Sequence, residues 1–191
     1  MALSPSDNIV VVRSSRTDLT GIKGDLVLPQ NYSATNNGAD YFNFYFGFGE
    51  DYMEGGVSYS KKWGSNPWHK FLNNSQLDAY TAAMSQPYPG QRISFRLENN
   101  KNQTASFYIN DNLVTTLRNP RLPAASFVKM AQGAGDYSST VTYSQTSYSN
   151  LQYRDSNNTW HSWTSGYTPV YTYRKSDLNV YSELPLSTSL N

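Results

Sequence analysis

Hydrophobic and polar residues alternate most regularly between positions 41 and 48, where every second residue is phenylalanine. Neighbouring side chains of an extended strand point to opposite faces, so Phe42, Phe44, Phe46 and Phe48 share one face and Tyr41, Asn43 and Tyr45 share the other. Burying one phenylalanine contributes roughly 1.5–3 kcal/mol, and a slip of one residue would exchange the two faces. The pattern predicts a strand whose phenylalanine face lies in the core. Its tyrosine and asparagine face then meets water, another layer or a ligand.

A second alternating region predicts a meander of three strands. Residues 91–98 place Ile93, Phe95 and Leu97 on one side, and residues 104–109 place Ala105, Phe107 and Ile109 on one side. The polar segments 99–102 and 110–112 are rich in asparagine, which tolerates the left-handed turn conformation, and the second leads into a third strand over 113–117.

Short strand patterns also cover 8–13, 24–28, 57–61, 126–131, 140–153, 160–163, 170–174 and 179–181. Residues 77–84 have apolar positions at helical spacing before Pro87 and are the one predicted helix. Roughly ten to thirteen short strands predict an all-β protein, a two-sheet antiparallel β-sandwich with at most one or two short helices. We expect a single domain over 1–191, with a loose C-terminal tail from about 183.

The amino-acid composition limits the kinds of molecule that this protein is expected to bind. Only 15% of the 191 residues are charged and the net charge is +1, with lysine and arginine scattered singly, which excludes the basic patch that nucleic acid or an anionic membrane requires. No segment is long and apolar enough to insert in a membrane. The absence of cysteine excludes disulfides, a thiol nucleophile and thiolate metal sites. We expect a secreted bacterial protein whose leader was replaced by Met1; the alternative is a cytoplasmic or virion protein with a native Met1.

The segment 91–97 followed by 105–114, Ala-Ser-Phe-Tyr-Ile-Asn-Asp-Asn-Leu-Val, resembles a hairpin of the concanavalin A-like lectin and glucanase domains. The resemblance covers about 30 residues. It implies a jelly roll of two stacked sheets and a sugar bound on the concave face or at its rim loops. Carbohydrate is therefore the first ligand class to test.

The acidic segment 50–54, Glu-Asp-Tyr-Met-Glu, departs from the Glu-x-Asp-x-Glu strand of the glucanases in that superfamily, because its aspartate is shifted by one position. We interpret it as a solvated hairpin tip. The alternative is a catalytic pair of Glu50 and Glu54, which needs carboxyl groups about 5–5.5 Å or 6.5–9.5 Å apart. Asp51 and Asp136 are the weak candidates for a calcium ligand, but no calcium-loop spacing surrounds them, and no cofactor motif occurs.

The leading hypothesis is a secreted, non-catalytic carbohydrate-binding protein. The predicted ligand-binding residues are Tyr41, Asn43, Tyr45, Arg92, Arg96 and Tyr108 on one sheet face, with Trp63 and Trp68 as exposed platforms at its rim. This face requires that their strands lie in one sheet. The first alternative is a glycoside hydrolase using Glu50 and Glu54, or a polysaccharide lyase using a tyrosine base with Arg92 or Arg96. The second is an assembly protein of a spore, biofilm or virion; the oligomeric state stays open.

Overall fold

The computed structural model describes residues 7–34, 41–74, 79–135, 141–171 and 177–191. In these ranges the chain forms sixteen β-strands and one short 3₁₀ helix, Lys61–Trp63. The strands are β1 Asn8–Ser14, β2 Gly21–Val27, β3 Tyr32–Ser33, β4 Tyr41–Phe48, β5 Met53–Tyr59, β6 Trp68–Asn73, β7 Ala79–Ala83, β8 Arg92–Asn99, β9 Thr104–Ile109, β10 Asn112–Arg118, β11 Val128–Gly135, β12 Thr142–Arg154, β13 Trp160–Ser162, β14 Tyr167–Tyr171, β15 Leu178–Glu183 and β16 Leu186–Leu190.

The strands form two antiparallel sheets. A seven-stranded sheet has the order β14-β1-β11-β4-β5-β6-β7. A nine-stranded sheet has the order β10-β9-β8-β2-β12-β16-β15, with β13 and β3 also paired to β12. The predicted all-β, two-sheet antiparallel sandwich is confirmed.

The core lies between the sheets, and the phenylalanine face of β4 is its centre. Phe42, Phe44, Phe46 and Phe48 are all fully buried. Their rings contact aromatic rings of the nine-stranded sheet, as in Phe46 with Phe95 at 5.8 Å and Phe44 with Tyr143 at 5.3 Å between centroids. The meander is also confirmed as β8, β9 and β10, with Ile93, Phe95 and Leu97 facing the core.

The predicted helix over 77–84 is wrong in its described part, because residues 79–83 form strand β7. β7 pairs along its whole length with β6, from Asn73↔Ala79 to His69↔Ala83. The backbone hydrogen bonds of this ladder outweigh the helix propensity of an alanine-rich segment.

The predicted loose tail from about 183 is also corrected, because Glu183 ends strand β15 and Leu186–Leu190 form strand β16 between β12 and β15. All five residues of β16 are buried. Its hydroxyl groups are hydrogen-bonded inside the protein, since Thr188 Oγ1 donates to Gln132 Oε1 at 2.8 Å. A serine- and threonine-rich segment therefore satisfies its polar atoms without solvent.

Candidate functional site

The candidate site lies on the face of the seven-stranded sheet that points away from the core, here called the outer face. The strand register aligns its residues in rows across the sheet. One row runs Val11, Ala131, Tyr45, Gly56, Phe71 and Thr81, from β1 to β7. The next row on the same face runs Arg13, Lys129, Gly47, Glu54, Asn73 and Ala79.

Small residues let the large side chains of β4 lie flat across neighbouring strands. A Cβ on Gly56 would overlap the Phe44 carbonyl oxygen and lie 2.6 Å from Tyr45 Cβ. A Cβ on Gly135 would overlap the ring and hydroxyl of Tyr41. These glycines therefore determine where the two tyrosine side chains lie on the outer face.

A cavity of about 250 Å³ opens on this face. Its walls combine aromatic rings with short polar side chains and two carboxylates. The lining residues are Asp7, Ile9, Tyr41, Asn43, Tyr45, Glu54, Ser58, Lys62, Trp63, Phe71, Asn73, Ala79, Thr81 and Gly135. The volume lies just below the range of about 300–1,000 Å³ typical of small-molecule sites, so it suits a ligand of one or two rings.

Several polar groups in the cavity wall have no hydrogen-bond partner among the described residues. They are the Asn43 amide and the hydroxyl groups of Tyr45, Ser58 and Thr81. Burial, followed by the negative charge of Glu54, holds the pKa of Tyr45 well above its usual value. The Tyr45 hydroxyl therefore stays protonated and is able to donate a hydrogen bond to a ligand.

The charged end of the cavity contains a buried ion pair. Lys129 Nζ lies 2.6 Å from Glu54 Oε1, and their side chains are only 4% and 6% exposed. Gly47 separates the two residues in the row, and a Cβ there would lie 2.7 Å from Lys129 Cε. The absence of a side chain at Gly47 thus lets the lysine cross β4 to reach Glu54. Lys129 Nζ also donates to the Glu50 carbonyl oxygen.

Trp63 and Lys62 form the rim at the other end. The Trp63 ring stacks on His69, with centroids 3.9 Å apart and planes 11° from parallel. The Lys62 ammonium lies 5.0 Å from the Trp63 ring centroid and 5.6 Å from that of Tyr41. Burial and, to a lesser degree, the charge of Lys62 lower the pKa of His69, so this imidazole is neutral near pH 7.

The structure divides the predicted ligand-binding residues between the two sheets. Tyr41, Asn43 and Tyr45 lie on β4 and line the cavity together with Trp63. Arg92, Arg96 and Tyr108 lie on β8 and β9 of the nine-stranded sheet. The predicted single face is therefore wrong, because strand pairing places the two sets on opposite sheets.

The three predicted residues on the nine-stranded sheet contact neighbouring side chains of the same sheet. Arg96 lies 3.8 Å from the Tyr108 ring centroid and 2.6 Å from a Glu98 carboxylate oxygen. Arg92 pairs with Asp25 at 3.3 Å. A ligand-binding role for this second group stays a prediction.

The predicted exposure of Trp68 is wrong, since this residue is fully buried. Its position opposite Tyr59 places it on the core face of β6, where its ring meets Tyr59, Phe42 and Tyr32 at centroid distances of 5.3–5.5 Å. It cannot act as a rim platform in this fold.

The acidic segment is divided between a turn and a strand. Phe48 pairs with Met53, so the turn covers 49–52 and Glu54 belongs to β5. The predicted solvated tip therefore holds for Glu50, which is exposed and pairs with Arg13 at 2.6 Å, but not for buried Glu54. Each of the two carboxylates has its own cation.

Of the two calcium candidates, only Asp51 lies within the described residues. Asp51 pairs with Arg121 at 3.1 Å, and Asp136 lies outside the described residues. No group of three or more histidine or acidic side chains lies together within the described ranges. No described helix is long and apolar enough to cross a membrane.

Sequence reasoning missed most of the cavity outside β4. Ser58, Phe71, Asn73 and Thr81 come from three further strands, and Glu54 was assigned to a loop. The alternation of Glu54, Gly56 and Ser58 with Val57 and Tyr59 was the available signal for β5. It shows that Glu54 and Ser58 share a face, but not that this face adjoins Tyr45.

Comparison with known proteins shows a common fold without a shared sequence family. No family model matches the chain, and no curated protein has a matching sequence. Scytalido-glutamic peptidase, solved with a transition-state analogue inhibitor, is similar with a TM-score of 0.66 and 8% identity, over 96% of this chain and 97% of that one. SCP-B, an eqolisin-family peptidase solved with the tripeptide Ala-Ile-His, gives 0.61 and 8%, over 96% of each chain.

Lectin-like and glucanase structures also align, with lower scores. A tetrameric galectin from the sponge Cinachyrella gives a TM-score of 0.45 and 14% identity, over 75% of this chain and 96% of that one. The predicted resemblance to concanavalin A-like jelly-roll sandwiches is confirmed at the level of the fold by the two stacked antiparallel sheets. At these identities the similarity extends to the fold alone.

Proposed function

We propose that this protein binds carbohydrate in the cavity on the outer face of the seven-stranded sheet. The observation that carries the proposal is a set of hydrogen-bonding groups that surround aromatic rings and have no partner among the described residues. Asn43, Ser58 and Tyr45 supply a mixture of donors and acceptors, while Phe71 and Trp63 supply apolar surface. Sugar rings combine apolar C–H faces with hydroxyl groups that both donate and accept, so they match this mixture.

Two measurements test the proposal. The purified protein is first screened on a glycan array, and a glycan that binds is then titrated into the protein while its tryptophan fluorescence is recorded. We expect a neutral or acidic oligosaccharide to bind and to shift tryptophan emission, because Trp63 lines the cavity whereas Trp68 is buried. The shift should disappear in Trp63→Phe and persist in the control Trp160→Phe, whose ring lies on the nine-stranded sheet beside Lys23. Binding unaffected by both Trp63→Phe and Asn43→Ala would contradict this location. A folded protein that binds nothing on the array would contradict the ligand class.

Glu54 supports a second candidate function, hydrolysis. It provides a carboxylate in the cavity wall, and the glutamic peptidases named above share the fold. Glu54 Oε1, however, already accepts a hydrogen bond from Lys129 Nζ at 2.6 Å, and both side chains are buried. Because the groups proposed to bind the sugar do not include Glu54, we expect a folded Glu54→Gln variant to keep glycan binding. Cleavage of a bound oligosaccharide or a peptide by the natural protein, lost in Glu54→Gln, would favour the hydrolase instead.

A further inference from the structure

Two amide side chains buried between the sheets have hydrogen-bonding atoms without partners. Asn8 on β1 and Gln132 on β11 are both fully buried. Among the described residues, neither the oxygen nor the nitrogen of the Asn8 amide has a hydrogen-bond partner, and Gln132 Nε2 has none either. Exchanging the oxygen and nitrogen of Asn8 would leave both atoms unpaired. Buried polar atoms in native proteins nearly always bond to the protein or to an ordered water molecule, so these three atoms indicate a bound partner.

The strand register places the two amides next to each other on the core side of the seven-stranded sheet. Asn8 has the same parity on β1 as Val10 and Val12, which belong to the core. Asn8 pairs with Ala134 and Val10 pairs with Gln132, so Asn8 and Gln132 are diagonal neighbours, with Cα atoms about 7–8 Å apart. Ala134 adds only a methyl group beside Asn8. One water molecule that bonds to two atoms bridges roughly 5 Å, which suits a diagonal pair of amides.

The oxygen of Gln132 is already held by the opposite sheet. Thr188 Oγ1 on β16 donates to Gln132 Oε1 at 2.8 Å, and the Tyr143 hydroxyl on β12 lies 3.0 Å from Thr188 Oγ1. Because the Thr188 proton is used toward Gln132, Tyr143 is the donor to Thr188. A chain of hydrogen bonds therefore crosses from the nine-stranded to the seven-stranded sheet. It ends at Gln132 Nε2, a donor that needs an acceptor.

We propose that Asn8 and Gln132 form an internal site for one or two water molecules. Water accepts hydrogen bonds from the two amide nitrogens and donates to Asn8 Oδ1, so it matches all three unpaired atoms. A metal cation would bond only to the oxygen and would face two N–H donors. An anion would bond only to the donors, and these neutral side chains supply no opposite charge to a buried ion. The bound water extends the chain from Tyr143 to Asn8 and so connects β12, β16, β11 and β1.

Rotating-frame NMR of the isotope-labelled protein tests the site, because it detects water protons that lie close to individual amide groups. We expect cross-peaks between water and the side-chain NH₂ groups of Asn8 and Gln132, with the sign that distinguishes close contact from proton exchange. Asn119 is the control in the same molecule, since it is equally buried and its amide already bonds within the protein. Its nitrogen donates to the Tyr52 carbonyl oxygen at 2.7 Å and its oxygen accepts from Arg121 N at 2.9 Å. We expect no water cross-peak at Asn119.

Two variants test the position of the water. Asn8→Leu replaces the amide with an apolar side chain of similar size, so the water cross-peak at Gln132 should be lost. Thr188→Val removes the exchangeable hydroxyl proton that bonds to Gln132; a signal relayed by that hydroxyl would vanish, whereas one from bound water should persist. In the natural protein, a missing water cross-peak at either amide, or an equal one at Asn119, would overturn the proposal whether or not the variants fold. So would a Gln132 cross-peak that persists in folded Asn8→Leu or disappears in folded Thr188→Val. The measurement uses no glycan, so it does not depend on the proposed function.

Discussion

Removing Lys129 should destabilise the protein severely, because it would leave the Glu54 carboxylate buried without its cation. Both side chains are more than nine-tenths buried and their charged atoms are 2.6 Å apart. Breaking such a pair from one side costs about 3–5 kcal/mol, a large part of the roughly 5–15 kcal/mol that stabilises a typical domain. With a urea slope of about 2 kcal/mol per molar, Lys129→Met should lower the unfolding midpoint by roughly 2 M.

A double-mutant cycle separates the pair from other effects of the substitution. Lys129→Met combined with Glu54→Gln removes both charges, so we expect the double variant to be more stable than Lys129→Met alone. Equilibrium urea unfolding, followed by tryptophan fluorescence, gives all four free energies. A loss below about 1 kcal/mol in Lys129→Met would mean that water solvates the pair. Strictly additive free energies would show that the two residues do not interact.

Three further predictions concern the same region. Gly56→Ala should lower the free energy of unfolding by about 1–3 kcal/mol, because its Cβ would overlap the Phe44 carbonyl oxygen. Calorimetry would show this as a lower thermal unfolding midpoint. Burial raises the pKa of Tyr148 well above its usual value, so the folded state resists ionisation of this group. The free energy of unfolding should therefore fall as the pH rises above about 10. In Tyr148→Phe this free energy should fall less steeply with pH, as unfolding curves recorded at alkaline pH would show. Burial lowers the pKa of His69, so NMR titration should place it below about 6.5, and Trp63→Ala, which uncovers the ring, should move it upward.

The core side of the most regularly alternating strands could be predicted from the sequence because it is a local property. The four phenylalanines of β4 and the alternation in 91–98 fix which side chains share a face whatever the neighbouring strands are. Those predictions are confirmed. The same alternation correctly grouped Tyr41, Asn43 and Tyr45.

Strand assignment failed where local preference and pairing disagree. Ala79–Ala83 has a composition that suits a helix, and Leu186–Leu190 has one that suits a loop. Each became a strand because a neighbour offered a ladder of backbone hydrogen bonds. Such a gain depends on β6 or β12, so the segment's own residues do not reveal it.

By itself the sequence determined the all-β class, the meander and the buried face of β4, since period-two alternation and phenylalanine burial act within one strand. Only the tertiary structure decided which faces adjoin. It separated Tyr45 from Arg96 by placing their strands in different sheets, and it paired Glu54 with a lysine 75 positions away. Contacts between distant segments depend on the order of strands in a sheet, and no local pattern encodes that order.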